Sequence, residues 1–517
     1  MRADRDDRAA ARRRAPAAAR LTGVVLLASL LASGCAWFTR PDGDGGWDAE
    51  RRRDEVERLQ AAALSPATAD PAPPAADADT GAAVAPPAPV RDPSRPMDLA
   101  QALALASRGN RRIAEARQQL AASAERVADV RGRFLPTTTA QARYTWYSSA
   151  QTTNVEFPED LLPPGVPRPE VKVRDAEAGT VNASVTFPLD FTGELRHTLV
   201  AAQAGYRGER ARVWATTLDE QLAVVQRYFD LLEARRLRTV TEQTIAVYRS
   251  QVGIAEARFA QERLLKNDLL TVQVALQTAE QSLLARDLAI EQARWGFNQT
   301  IGVAVNDPAA LIDVSAPPDI PTVADALAQT YDHNPILLSL LEEQQRLEST
   351  AIALERSRLP RFGAGGGMDY STSDILTPVQ IGSGFAGFTW DLGTDTRREA
   401  QISEARILAD KNRLATERQL RELEAAVRAA QLAAAERLAA YATAQHALGQ
   451  AEENLRIREQ QFGVGRAQSD DVLIAERLLA EQRATLATAL YQAHVRRAAL
   501  QRLMGLPIDD LAAAGRG

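Results

Sequence analysis

Apolar positions recur along this chain with two different periods, and the two periods follow each other in a fixed order that occurs twice. From Asp98 to Arg133, Leu99, Leu103, Ile113, Leu120, Val127 and Val130 stand among Ala, Glu, Gln and Arg, which predicts helix. Gly109-Asn110 predicts a break between a short helix and a longer one. Leu135-Pro136 ends the helix, because proline cannot continue the hydrogen-bond ladder. Strict alternation follows. Ala140, Ala142, Tyr144 and Trp146 point one way, and Gln141, Arg143 and Thr145 the other. After a loop with five prolines between Pro158 and Pro169, Val181, Ala183, Val185, Phe187 and Leu189 alternate with Asn182, Ser184 and Thr186. A later stretch, Gly384, Ala386, Phe388 and Trp390, alternates too, with Phe385 interrupting its polar side. An apolar face opposite a polar face fits a strand with lipid on one side and water on the other, and equally a half-buried hairpin of a soluble protein.

Long helices come next. No proline occurs from Glu194 to Arg258, a stretch that would be ~95 Å long as helix. Within it Leu218, Leu222, Val225, Phe229 and Leu232 step by four and three, the spacing of a coiled coil. A second such stretch, Arg397 to Gln461, is richer in alanine. Each ends at a turn and reverses into another helix, Leu269–Asn298 and Val472–Leu503.

The order is a duplication. Ala102-Leu103, Asn110 and Leu135-Pro136 match Ala326-Leu327, Asn334 and Leu359-Pro360 at an offset of 224 residues. Phe259, Asp268 and Gly302 match Phe462, Asp471 and Gly505 at an offset of 203, the difference being a longer strand-to-strand loop in the first copy. The predicted fold is mainly α with a small β part: a duplicated unit of helix, β-hairpin and long helical hairpin, with repeats at 97–319 and 320–507 and a tail at 508–517. Two strands per repeat make four per chain. Four strands cannot close a barrel, and open edges are not tolerated in lipid, so a membrane setting requires several chains to share one barrel.

Charge narrows the partners. The net charge is −6, and residues 1–34, with seven Arg and three Asp, leave about −10 on the remainder. A general nucleic-acid binder carries a basic surplus instead. No run of 18 apolar residues follows the N-terminal segment. That segment has an Arg-rich stretch to Arg20, a short apolar core from Leu21 to Leu31, and Ala32-Ser33-Gly34 before Cys35. It reads as a signal peptide, 1–34. Its end resembles a lipobox, although Leu31 stands four residues before the cysteine where the usual spacing is three. Cys35 is the only cysteine, so no intramolecular disulfide can form. Lipidation of Cys35 is the expectation, and an ordinary signal peptide with an incidental cysteine is the alternative. Residues 35–96 hold nine prolines from Pro66 to Pro96 and no apolar period, as in a tether.

Catalytic signatures are missing. Gly382, Gly384 and Gly387 fit G-x-G-x-x-G, but an alternating strand runs through them and no helix opens at Gly387. His197, His333, His446 and His494 are scattered without metal-ligand spacing. No Walker A loop, G-x-S-x-G or H-E-x-x-H occurs. Neither an enzyme, a cofactor nor a metal is expected. The two helical turns are more informative. One runs from Arg258 to Leu270 and the other from Gln461 to Leu473, and each places an aromatic, a short polar turn and an aspartate before an apolar helix. Asp268 and Asp471 suit helix capping, and they equally suit a ring of charge at the tip of a tube.

With these residues in view the chain resembles a TolC-like outer membrane efflux protein, of the outer membrane factor family, from roughly Met97 to Pro507. The resemblance rests on the duplicated layout, on Asn334-Pro335 followed by Leu359-Pro360, and on Phe187-Pro188-Leu189-Asp190 with Gly193 and its counterpart Trp390-Asp391-Leu392-Gly393. Phe462 and Gly465 followed by Asp471-Val472-Leu473 complete it. The lipobox and tether suit the family's lipoprotein branch. The resemblance implies a homotrimer whose twelve strands form one outer membrane barrel, continued by a periplasmic α-helical barrel. It implies a passive exit duct for small molecules or ions, working with a periplasmic adaptor and an inner membrane pump, with Asp268 and Asp471 at the periplasmic constriction. Glu262 departs from the glycine the family favours, and Ile474 stands where some relatives carry a further acid. A duct for protein secretion is the alternative within the class. A lipid-anchored periplasmic coiled-coil scaffold without a pore is the alternative outside it.

Overall fold

The computed structural model describes residues 96–154, 170–373, 375, 380–391, 396–464 and 466–508. The expected signal peptide, Cys35, the expected tether up to Arg95, the proline-rich loop after Asn154 and the tail beyond Ile508 lie outside them. Among the described residues the first repeat runs α1 (Leu99–Gly109), α2 (Arg111–Gly132), β1 (Thr137–Trp146), β2 (Gln151–Asn154), β3 (Glu170–Arg174), β4 (Glu177–Leu189), α3 (Glu194–Ala260) and α4 (Lys266–Ile301). The second runs α5 (Val323–His333), α6 (Pro335–Arg356), β5 (Arg361–Ser371), β6 (Gln380–Thr389), α7 (Thr396–Gly463) and α8 (Ser469–Met504). The expected elements are all present, each within a few residues of its expected ends. Beyond the two expected strands of the first repeat, a short ribbon of β2 and β3 prolongs the β1–β4 hairpin past the main sheet. No helix among the described residues is long and apolar enough to cross a membrane.

The main sheet is antiparallel in the order β1-β4-β5-β6, so β4 and β5 join the two repeats and β1 and β6 are its free edges. Registers place Ala142 beside Val181 and Val181 beside Tyr370 on one face. Gln141 lies beside Asn182 and Asn182 beside Asp369 on the other. The polar face is tied across strands, with Asn182 Nδ2 donating to Asp369 Oδ1 at 2.5 Å and the Thr139 and Ser184 hydroxyls 2.8 Å apart. Phe385 falls on this face because it sits opposite Gly365, and its ring occupies the space a side chain there would need. A Cβ on Gly365 would stand 2.8 Å from that ring and 2.3 Å from the Val185 carbonyl oxygen. Gly365 therefore serves close packing, whereas Gly382, Gly384 and Gly387 of the G-x-G-x-x-G stretch lie along β6 with no close neighbour where a Cβ would stand.

At 67 and 68 residues, α3 and α7 each extend ~100 Å. They have no globular core to lie on and bury their apolar seams against one another's partners. α3 packs on α2, α4, α6 and α8, and α7 on α5, α6 and α8. Side by side, the helices that adjoin the sheet run α2-α3-α6-α7, and those beyond the middle run α4-α3-α8-α7. The junction with the sheet is pinned by Arg361, whose guanidinium donates to both carboxylate oxygens of Glu194 at 3.0 Å.

Midway along the long helices lies the main core, where Leu99, Leu103, Tyr228, Phe229, Phe297, Ile301 and Tyr491 are buried together. Here the duplication shows its purpose. Asn110 Oδ1 accepts from the Arg112 and Ile113 N–H groups, capping α2, while its Nδ2 reaches the Thr300 carbonyl at 3.4 Å and Glu220 at 2.7 Å. Asn334 caps α6 likewise, and its Nδ2 donates to the Leu503 carbonyl at 2.8 Å. One side chain thus starts one helix and finishes another. The same helix ends, α4 and α8, close with Gly302 and Gly505 at φ of 79° and 75°. A Cβ on Gly302 would lie 2.6 Å from the Gly109 carbonyl oxygen, and one on Gly505 2.2 Å from that of His333.

The clash at Gly505 is with backbone, which cannot step aside. Gly505→Ala is expected to lower stability by at least about 2 kcal/mol, combining left-handed strain with that overlap. Gly449→Ala, inside α7 with nothing within 4 Å of the added carbon, is expected to raise it by about 0.5–1 kcal/mol. Urea midpoints of the two variants check the contrast.

Candidate functional site

Two regions carry the chemistry, the sheet and the far tip of the helical hairpins. The apolar face of the sheet ends in aromatic rings on both sides. Tyr144, Trp146 and Tyr370 stand at the end away from the helices, and Phe191, Phe362, Phe388 and Trp390 at the end beside them. Tyr144 and Trp146 meet edge to face at 4.9 Å, and Phe362 lies 5.4 Å from Phe191 and 5.8 Å from Phe388. Eight residue steps along β5 separate Phe362 from Tyr370, ~27 Å of strand. Between the rings the face carries Ala140, Ala142, Val181, Ala183, Val185, Ala364, Met368 and Ala386. An apolar band of this height between aromatic girdles, backed by a polar face, matches a strand set lying in a bilayer around water. The girdles were legible as residues but not as two rings, because ring membership depends on the register between strands far apart in sequence.

At the tip both turns are built alike. After α3, the N–H of Arg263 donates to the Arg258 carbonyl and that of Glu262 to the Phe259 carbonyl, the paired bonds of a Schellman cap. After α7, the N–H of Arg466 donates to the Gln461 carbonyl at the matching position. Such a cap needs one residue in the left-handed region. In the first turn this is Glu262, at φ 59°, and among the described residues no other non-glycine has a positive φ. Its counterpart in the second copy is Gly465.

Asp268 and Asp471 each stand at the third position of the helix that follows, half-buried. Asp471 Oδ2 accepts from the Gln468 N–H at 2.9 Å and completes a capping box. Leu265 precedes α4 with no side-chain cap bond, so Asp268 acts on that helix end through its charge alone. Asp470, exposed and next to Asp471, adds a second acid to the turn.

Three contacts tie the two hairpins together here. Leu473 enters the cluster of Ile245, Tyr248, Val272 and Ala279 between α3 and α4, while Val472 beside it packs on Leu455 and Phe462. Arg258 lies 4.0 Å above the Phe462 ring and donates to the Phe462 carbonyl at 3.0 Å. The Asp-Val-Leu motif thus has a division of labour: the acid caps, Val472 holds its own hairpin, and Leu473 reaches the other one. Arg258 could not be found from sequence, since its partner lies in the other repeat.

The scattered histidines stay apart. His494 is buried against Phe229, ring centres 5.1 Å apart, and its Nε2 lies 3.0 Å from the Ala316 carbonyl. Burial pushes its imidazole below the ordinary range and keeps it neutral. Among the described residues no three His, Cys, Asp or Glu side chains form a metal-binding group.

Replacing Glu262 by glycine removes a Cβ from a left-handed residue. Glu262→Gly is expected to raise stability by up to about 1 kcal/mol, and Glu262→Val to lower it by about as much, in thermal unfolding of the full chain.

No curated protein sequence matches the chain. Solved structures do. The outer membrane protein VceC from Vibrio cholerae is 17% identical, with a TM-score of 0.65 over 79% of this chain and 96% of that one. CusC, described for its folding and transmembrane channel formation, is 16% identical, with a TM-score of 0.67 over 79% and 92%. The open state of the Neisseria gonorrhoeae MtrE outer membrane channel is 16% identical, with a TM-score of 0.63 over 79% and 89%. These likenesses share the fold. The profile of the outer membrane efflux protein family matches residues 102–303 and 326–506, one segment for each repeat. Two matched segments that fall on the two structural repeats, and take in most of the chain, show that it belongs to the outer membrane efflux protein family, whose members are passive transport channels and not enzymes.

Proposed function

We propose that three copies of this chain close into the outer membrane exit duct of a tripartite efflux system. Each contributes four strands to a twelve-stranded barrel and its helices to a periplasmic tube. In this reading residues 1–34 direct export, lipid on Cys35 anchors the N-terminus to the outer membrane, and residues 35–96 tether it to the repeats at 97–319 and 320–507. A periplasmic adaptor and an inner membrane pump deliver small molecules or ions to the tip.

The observation that carries the proposal is an interface made once and left unmade once. Within the chain, α8 of the second repeat packs on α3 of the first, burying Leu473, Ala487, Tyr491 and Ala498. Their counterparts on α4, 203 residues earlier, are Leu270, Leu284, Leu288 and Trp295. All four are exposed, Leu284 and Leu288 at 66%. The α4 seam lacks what the α8 seam has, the long helix of the other repeat, and α7, the counterpart of that helix, is the free edge at the opposite side of the array. The sheet repeats the pattern, with the repeats joined at β4–β5 and free at β6 and β1. A second copy supplies both missing partners at once, and head-to-tail contacts of this kind close into a ring.

Burying two carboxylates in an apolar seam costs several kcal/mol. Leu284→Glu with Leu288→Glu is therefore expected to reduce trimer, read by unheated gel migration and light scattering, by at least about tenfold. The α3–α8 core lies elsewhere, so the single chain stays helical by circular dichroism. An unchanged oligomer overturns the ring, and a wholly soluble product with no conductance in planar bilayers favours the poreless scaffold.

At the tip, three copies bring up to six carboxylates from Asp268 and Asp471 around one opening, attracting cations within about 8–10 Å. Changing both to Asn keeps an acceptor for the Gln468 N–H. That pair is expected to lower cation selectivity in planar bilayers with stability within about 0.5 kcal/mol of the parent. Changing both to Ala is expected to cost about 1 kcal/mol at α8, where the capping bond is lost, and less at α4. Wild-type selectivity in the Asn pair would mean the aspartates cap helices and nothing more.

A further inference from the structure

Three residues past Leu473 the two repeats part company. In the first, Gln273 on α4 donates through Nε2 to Glu256 Oε1 on α3 at 3.4 Å. The matching positions in the second repeat are Glu476 on α8 and Glu459 on α7. An amide facing a carboxylate has become a carboxyl facing a carboxylate. Gln273 is half-buried, but Glu476 is 1% exposed, because α8 is covered on its other side by α3. One of its oxygens, Oε2, is buried without a hydrogen-bond partner.

The surroundings offer little to a charge. α3 presents the Thr244 hydroxyl, which hydrogen-bonds the carboxyl group, and Tyr248, whose hydroxyl is pushed up by its own burial and by Glu476 and stays neutral. α7 presents Glu459, a like charge. On α8 itself the cations are Arg477, which acts on Tyr248, and Arg483. Arg483 donates to Gln243 at 3.1 Å and lies 3.7 Å from Glu452, so its charge is already shared. Two further buried oxygens on the facing segments, Gln251 Oε1 on α3 and Ser469 Oγ at the start of α8, are also without partners.

We infer that Glu476 is a proton-operated latch at the tip. Protonated, it takes the donor role that Gln273 has in the first repeat and holds α8 to α7 and α3. Deprotonated, it sets a second carboxylate opposite Glu459 inside the α3–α8 contact and loosens it. Leu473 and Val472 lie one turn away on α8, so the latch acts on the segment that joins the two hairpins.

Electrostatics supports the geometry. Burial pushes the Glu476 carboxyl up to about 7, Arg483 and the Thr244 hydrogen bond pull it down, and Glu459 adds to the rise. A carboxyl raised above its ordinary value of 4.5 binds protons more tightly in the folded state. Its contribution to stability is whole below that value and is lost as pH rises through about 7. The tip is thus firm in acid and loosens in mild alkali, the reverse of the usual salt-bridged carboxylate.

The consequence for opening rests on the duct reading, whereas the latch itself can be read without it. Amide hydrogen exchange on the full chain in detergent, corrected for the intrinsic effect of pH, would follow peptides from 466–483 and 243–252 at pH 5.5, 7 and 8.5. Protection of these peptides is expected to fall about tenfold or more between the lowest and highest pH, while peptides from the middle of the long helices stay level. Glu476→Gln, which copies the first repeat, is expected to be flat at the acid level. Glu459→Gln, with the facing charge gone, is expected to move the midpoint to lower pH. A flat wild type, or an unchanged pH response in Glu476→Gln, overturns the latch. In planar bilayers the open probability is expected to rise with pH in the wild type and, from a lower pH, in Glu459→Gln, but not in Glu476→Gln. If exchange follows this pattern and no variant conducts at any pH, the latch stands and the duct reading fails.

Discussion

A backbone amide in hydrocarbon has no water to turn to, and an unpaired one costs several kcal/mol. A sheet whose outer face carries Val181, Met368 and Ala386 between two aromatic girdles therefore cannot keep β1 and β6 as open edges while it sits in lipid. Everything else in the chain is arranged around that constraint. Because the edges belong to different repeats, the duplication that makes the sheet also makes its two ends complementary. The helices inherit the same logic. Each long helix continues directly from a strand end, so the lateral order of helices copies the lateral order of strands. The unfilled seam on α4 is thus the continuation, in water, of the open edge at β1.

Long two-layer helices have little core of their own, and this chain compensates at its middle. The short helices α1 and α5 turn back onto α3 and α8, and Asn110 and Asn334 make each turn serve two helix ends. Close approach is what limits substitution there. Gly302 and Gly505 touch backbone carbonyls, not side chains, so the contact has no flexible end to yield. The result is one firm belt, from which the sheet extends in one direction and the two hairpin tips in the other.

The tips are where the repeats have diverged, and each difference changes how firmly a hairpin is held. Glu262 carries backbone strain at the place where the second copy has Gly465. Leu270 is exposed where Leu473 is inserted between α3 and α4. Gln273 is neutral where Glu476 is an acid. The second hairpin is therefore the one attached to its neighbour, through Leu473, Arg258 on Phe462, and the buried Glu476. The attachment between the two hairpins is thus concentrated in a few residues.

Much of this was legible before any coordinates. Helix breaks at Asn110 and Asn334, the proline stops after Leu135 and Leu359, the alternating strands and the uninterrupted length of α3 and α7 are local features. They depend on caps, on missing donors and on side-chain period, all set by neighbours in sequence. The duplication then dictated four strands and an unclosed sheet. What sequence could not supply was decided by contacts between repeats. Phe385 looked like a fault in the polar face until Gly365, twenty residues away on another strand, was seen beneath it. The β2–β3 ribbon has too short a pattern to announce itself. Leu270 and Leu473 read alike, as do the exposed and buried positions of α4 and α8, because burial is a property of what lies opposite and not of the residue. Glu476 is the clearest case: along the chain it is one more acid on a charged helix, and only the packing of α3 over α8 removes the water that would have kept it ordinary.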